Sequence, residues 1–153
     1  AYTPQVARLF SETLRENIAL GAAASAQELE RAVQLARLAP DVAAMPAGLD
    51  TLVGPRGVRL SGGQLQRAAA ARMLVRGAEL LVCDDLSSAL DVETEAALWA
   101  GIRAMPNPPT ILAASHRPAL LRQADQIVVL RGGRVEAVGR LDELLEQSAE
   151  LRA

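Results

Sequence analysis

Two short stretches of this chain carry residue types whose spacing suits phosphate and metal chemistry. The first is Arg59-Leu60-Ser61-Gly62-Gly63-Gln64-Leu65-Gln66-Arg67. Ser-Gly-Gly at the mouth of a helix lets the backbone approach a phosphate closely. The unpaired N–H groups and positive dipole end of that helix would face the phosphate charge. The second stretch is Leu80-Leu81-Val82-Cys83-Asp84-Asp85, an apolar run ending in paired carboxylates. It reads as a buried parallel strand that presents Asp84 and Asp85 at its end. Each stretch has a plainer reading, a Ser-capped helix in one case and a core strand ending in two solvated acids in the other. Their order and spacing together favour the chemistry.

The elements that must position these groups follow from periodicity and punctuation. Tyr2 to Val6 reads as a strand end running into a loop. Ser11 is expected to cap a helix over Glu12 to Leu20. Ser25-Ala26-Gln27-Glu28 is a capping box opening a second helix with Leu29, Val33, Leu35 and Ala36 on its apolar side. Residues 40–60, rich in Pro, Gly and Asp, are expected to form turns around one brief helical segment. A helix should follow Gly63 and run to about Arg76, with Gly77 ending it. Strands are expected at Leu80–Cys83 and Thr110–Ala114, and helices at Val92–Ala104, Pro118–Gln123 and Leu141–Gln147. Gln126–Leu130 and Arg134–Val138 form a hairpin across Gly132-Gly133. An all-helical first half and an α/β second half suit a helical subdomain beside part of a parallel sheet.

Composition narrows the function classes. The 153 residues are 50% hydrophobic, enough for one core. The net charge of −2 gives no basic field for nucleic acid, and three aromatics (Tyr2, Phe10, Trp99) make no stacking platform. The lone Cys83 excludes an internal disulfide and reads as core packing. No apolar run approaches the roughly eighteen residues of a membrane span.

In their order and spacing, the two stretches resemble the signature motif and Mg²⁺-binding strand of the ABC-type ATPases, and the resemblance extends over nearly the whole chain. Tyr2-Thr3-Pro4-Gln5 is similar to the family's Q-loop, which implies that Gln5 contacts the Mg²⁺ and attacking-water region. Alone, Gln5 would read as a solvated amide. Phe10-Ser11-Glu12-Thr13-Leu14-Arg15-Glu16-Asn17-Ile18 continues as in export-type members. Thr51-Leu52-Val53-Gly54-Pro55-Arg56-Gly57 is similar to the exporters' X-loop, with Pro55 where a Glu is usual. Asp84 matches the Mg²⁺-associated aspartate. Asp85 stands where hydrolysis-competent members usually carry Glu, the group that polarises the attacking water. Its side chain is shorter by about 1.5 Å, and a misplacement on the order of 1 Å can cost about 100-fold in rate. The resemblance therefore implies a weakened site, as in one half of a heterodimeric exporter. Ser88-Ala89-Leu90-Asp91 matches the D-loop, although Asp91 is also a good N-cap. His116, the single histidine, matches the H-loop residue that contacts the γ-phosphate. A lone histidine near a strand end is otherwise more often structural.

The implied fold is α/β, a partial P-loop NTPase (RecA-like) parallel sheet with an ABC-type helical subdomain. Residues 1–78 would hold the Q-loop, helical subdomain and signature, and residues 79–153 the C-terminal part of the core. A P-loop needs Gly-x-x-x-x-Gly-Lys-Ser/Thr, and this chain has no lysine. The chain is therefore expected to be the C-terminal part of a nucleotide-binding domain, inactive alone. The implied ligands are ATP and Mg²⁺. Gln5, Asp85 and His116 would be catalytic, Asp84 and Gln5 would serve the metal, and Ser61, Gly62, Gly63, Gln64, Ser88 and Asp91 would serve nucleotide. The implied function is ATP-driven export at the cytoplasmic face of the cell membrane. A second cassette packed head to tail, expected as a heterodimer, and transmembrane domains (fused or separate) would be the partners, with no nucleic acid. The alternatives are a soluble ABC-type ATPase acting on DNA or ribosomes, an importer's ATPase subunit, or a non-catalytic interaction domain lacking its P-loop. The X-loop-like segment and the lack of a basic or coiled-coil insertion argue against the first, and the X-loop-like segment also disfavours the second.

Overall fold

A computed structural model describes residues 1–147. They fall into two compact units, Ala1–Ala114 and Ser115 onward, each described by itself.

The first unit is built on three parallel strands in the order β1 (Tyr2–Thr3), β2 (Leu80–Asp84), β3 (Thr110–Ala114). Along β2 the side chains alternate. Leu81 and Cys83 are buried on one face while Leu80 is 46% exposed, the period of two that a half-covered strand requires. Thr3 pairs with Cys83 and Asp84 with Ala114, so all three strands finish at one edge of the sheet. In open α/β sheets that carboxyl edge is where ligands bind.

Helices α1 (Leu14–Ala19), α2 (Ala26–Leu35), α3 (Ala39–Ala44), α4 (Gly62–Leu74) and α5 (Val92–Arg103) complete the unit. The start of α1 differs from expectation: its N-cap is Thr13, not Ser11. Thr13 Oγ1 accepts from Glu16 N at 3.1 Å and the Glu16 carboxylate accepts from Thr13 N at 2.9 Å. Thr-x-x-Glu satisfies two orphan donors reciprocally, whereas Ser11-x-x-Leu14 would satisfy only one. The Thr13 hydrogen bonds also hold the Glu16 carboxyl below its ordinary range. Ser25 and Glu28 form the same box at the start of α2, as the sequence suggested. Residues 40–60 contain two brief helical segments rather than one, α3 and a 3-10 turn at Gly48–Asp50. Pro40 sits in the first turn of α3, where its missing N–H has no helical partner to lose.

The central helix is α4. Its run Ala68–Ala71 is entirely buried, and the small side chains let α1, α2 and β1 pack closely around it. Leu14 and Ile18 of α1 and Leu29 and Val33 of α2 are buried, and Met73 of α4 meets Cys83 of β2. Arg72 and Arg76 of α4 donate to the carbonyls of Asn17 (2.7 Å) and Leu20 (3.1 Å), acceptors left over at the C-terminal end of α1. Residues 51–54 are stitched to the approach to α1 through Leu14 N to Thr51 O and Val53 N to Glu12 O, both 3.0 Å. Gly54 has φ +86°, and a Cβ there would lie 2.5 Å from the Phe10 carbonyl oxygen, so no other residue fits.

The second unit contains α6 (Pro118–Leu121), β4 (Ile127–Arg131), β5 (Arg134–Gly139) and α7 (Leu141–Gln147). The antiparallel hairpin turns through Gly132 and Gly133, both at positive φ, the conformation its two-residue turn demands. Ile127, Val129 and Leu144 form its small core, with Leu121, Ala124, Ala137 and Leu141 against them.

Candidate functional site

At the carboxyl edge of the sheet, β1 runs out towards Gln5 and β2 ends at Asp84. The chain then turns sharply at Asp85, which has φ +49°, a left-handed conformation that Asp tolerates better than most residues. Asp85 N donates to Ala114 O at 2.9 Å, pinning this turn to the end of β3. Gln5 Nε2 donates to Asp85 Oδ2 at 3.4 Å, so residues far apart in sequence meet here. The other carboxylate oxygen, Oδ1, is buried without a hydrogen-bond partner. Leaving a carboxylate oxygen buried without a partner is costly.

Asp84, Asp85 and Gln5 supply oxygen donors, the kind a small hard cation takes. Among the described residues no three His, Cys, Asp or Glu side chains cluster closely enough to hold a metal unaided. These residues therefore fit Mg²⁺ held largely by phosphate and water, the usual mode for this ion. Cys83, behind them, is buried and contacts Met73 Sδ at 3.7 Å; burial pushes its thiol up to about 12, which makes it a packing residue.

The second element of the site is the N-terminus of α4. Ser61 is its N-cap, with Ser61 Oγ accepting from Gln64 N at 3.2 Å and Gln64 Oε1 accepting from Ser61 N at 2.9 Å. The helix therefore begins at Gly62 rather than after Gly63. Ser61 and Gly62 are exposed and Gly63 is partly so, which leaves the helix mouth open. A Cβ on Gly63 would come within 3.2 Å of the Ala89 carbonyl oxygen, tighter than ordinary contact. The side chain of Gln64 is committed within the protein, because its Nε2 donates to Asp41 Oδ1 at 3.0 Å. Arg67 grips the same carboxylate, with Nε at 3.1 Å and Nη2 at 2.9 Å from Oδ2.

The loop after Asp85 is tied to α4. Gln66, 8% exposed, donates through Nε2 to Ser88 Oγ (2.7 Å) and accepts from Ala89 N through Oε1 (2.8 Å). Ser87 Oγ donates to the buried carboxylate of Glu95, which anchors the loop from the α5 side. Asp91 N-caps α5, accepting from Thr94 N at 2.9 Å and Thr94 Oγ1 at 2.7 Å. Those bonds, the backbone one first, hold its carboxyl below the ordinary range.

The first unit thus brings together Gln5 and Asp85 in one group, and Ser61, Gly62, Gly63, Gln64 and Ser88 around the head of α4. His116 belongs to the second unit and is exposed. Sequence reasoning missed Asp41, Gln66 and Glu95. The only signal for any of them was Gln66 lying within the first stretch.

Comparison with known proteins bears on the family and the fold. The sequence profile described as ABC transporter matches residues 1–88. The ABC transporter ATP-binding protein YwjA of Bacillus subtilis is 46% identical over 139 residues, which is 90% of this chain and 24% of that protein. The ATP-dependent lipid A-core flippase of Burkholderia pseudomallei is 43% identical, across 91% of this chain and 23% of its own length. The multidrug resistance-like ATP-binding protein MdlA of Escherichia coli is 40% identical, across 99% of this chain and 26% of its own length. The structure of a bacterial Atm1-family ABC exporter with ATP bound superposes with a TM-score of 0.92 at 37% identity, over 99% of this chain and 27% of that one. The chain spans about a quarter of the length of these relatives. Its α/β fold with a parallel sheet is that of an ABC exporter's nucleotide-binding region. With the profile matched over more than half its length, this chain belongs to the ABC transporter family.

Proposed function

We propose that this chain is part of the ATP-binding cassette of a membrane exporter, working at the cytoplasmic face of the membrane with ATP and Mg²⁺. The observation that carries this reading is the edge at which Gln5 meets Asp85 and leaves one buried carboxylate oxygen without a partner. Asp84 and Gln5 would hold Mg²⁺, which when bound offsets phosphate charge. Asp85 would orient the attacking water, with Gln5 restraining the carboxylate. Its short side chain, half turned inward, supports a weak hydrolytic site. His116 is assigned the γ-phosphate contact on the sequence resemblance. Residues 1–78 and 79–153 would serve as helical subdomain and core portion.

Ser61, Gly62 and Gly63 would close over ATP bound by a second cassette, packed head to tail. A heterodimer is favoured because Leu60-Ser61-Gly62-Gly63-Gln64 is intact while Asp85 is short. In this arrangement Gln64 supports the turn rather than touching nucleotide, since both ends of its amide are engaged. Ser88 and Asp91 would lie at the interface between cassettes, on a loop that Gln66 fixes to α4. Transmembrane domains, fused or separate, would carry the substrate.

The test is Ser61→Arg or Gly62→Asp in one cassette of the complete transporter, with labelled nucleotide trapped and counted on each subunit. Bulk or negative charge at the mouth of α4 should abolish most turnover by blocking the partner's ATP site. Loss confined to the substituted cassette's own site would reject the head-to-tail assignment.

A further inference from the structure

We infer that Asp41 is a positioning residue for the Ser61-Gly62-Gly63 turn, acting on the partner's nucleotide through Gln64 and Arg67. This rests on the head-to-tail reading above. Two adjacent glycines leave the backbone of the first turn permissive, so its aim must be set by neighbours. Within α4 the fastener is Gln64, whose Oε1 holds Ser61 N. That amide can rotate unless its other end is fixed, and Asp41 Oδ1 fixes it. One turn later Arg67 takes Asp41 Oδ2 with two N–H groups. Asp41 lies on α3, a separate helix, so the carboxylate ties the head of α4 to a reference outside it.

The clamp is shielded, with the Arg67 and Asp41 side chains 15% and 17% exposed. Charge-assisted bonds in such a setting are shorter and stronger than neutral ones and hold geometry accordingly. Asp41 takes two of the Arg67 N–H groups and holds the guanidinium beside the turn, with Nη1 next to Gly63. Positioning, rather than added charge, is therefore what Asp41 supplies.

The experiment places Asp41→Ala, Asp41→Asn, Arg67→Met and Asp41→Ala/Arg67→Met in one cassette of the complete transporter, with Gly62→Asp as reference. Nucleotide trapped on each subunit, kcat, KM and melting temperature are measured. Asp41→Ala and Arg67→Met should each lower trapping at the partner's site on the order of tenfold, as a loosened geometry would. The substituted cassette's own site should stay within about twofold, Asp41→Asn should fall between, and the double variant should be no worse than the poorer single, because the two residues act as one unit. An unchanged partner site while Gly62→Asp blocks it would overturn this inference alone. Gly62→Asp striking only its own cassette would overturn both the inference and the head-to-tail reading. Additive losses, or equal losses at both sites with a lowered melting temperature, would assign Asp41 to fold stability and reject the positioning role.

Discussion

Replacing Asp85 by glutamate in the complete transporter is expected to raise hydrolysis at the site built on this chain's own Asp84. The added methylene extends the carboxylate by about 1.5 Å, the length of one carbon–carbon bond. In the present geometry one Asp85 oxygen is buried and the other takes a long 3.4 Å bond from Gln5, so the group is held close to the sheet edge. A misplacement on the order of 1 Å can cost about 100-fold, or about 2.7 kcal/mol of barrier. Two costs accompany the change. Asp85 has φ +49°, and a longer side chain in the left-handed region costs about 1 kcal/mol more. That strain is present in ground and transition states alike, so it lowers stability rather than rate. Loss of the long, exposed Gln5 bond costs about 0.5 kcal/mol at most. The barrier term wins, and a gain of roughly tenfold to 100-fold is expected. The assay is single turnover with labelled ATP, enzyme in excess, resolved to this cassette. Asp85→Asn should fall below the starting rate. A glutamate no faster than aspartate, together with an asparagine no slower, would show that this carboxylate does not orient the water and would refute the reasoning.

Two further outcomes are expected. The chain by itself should neither hydrolyse ATP nor bind Mg-ATP with micromolar affinity, because it contains no lysine and no P-loop, and calorimetry on the purified chain measures this directly. For Asp91, the Thr94 hydrogen bonds depress the folded-state pKa below the unfolded one, so its stabilising effect is full above the usual carboxylate range and disappears as pH falls through the folded value. The urea midpoint of Asp91→Ala should therefore lie below that of the unsubstituted chain at pH 7, and the charge-dependent part of the gap should vanish in acid.

What the sequence by itself determined is the local part of this protein. Ser25-x-x-Glu28 announces a helix start because capping joins residues three apart, and the structure places the cap there; at α4 the helix was expected after Gly63, and the Ser61–Gln64 box starts it at Gly62. Thr110–Ala114 and the Gly132-Gly133 hairpin were legible for the same reason, since strand period and turn conformation are properties of adjacent residues. Ser11 failed as a cap because Thr13 offers a second reciprocal bond, a competition decided within a few residues and open to a stricter reading. The tertiary structure alone decided most of the meetings between polar groups. Nothing in spacing joins Gln66 to the Ser88-Ala89 loop or Asp41 to both Gln64 and Arg67, whereas the meeting of Gln5 and Asp85 was already implied by the family resemblance. The chain offers many acids, amides and arginines of equal chemical fitness. Which of them pair depends on the path of the backbone once α4 is buried and the three strands share an edge. The inward turn of Asp85 belongs to the same class: its left-handed backbone and unpartnered oxygen arise from the junction of β2 with the end of β3, which no window of sequence contains.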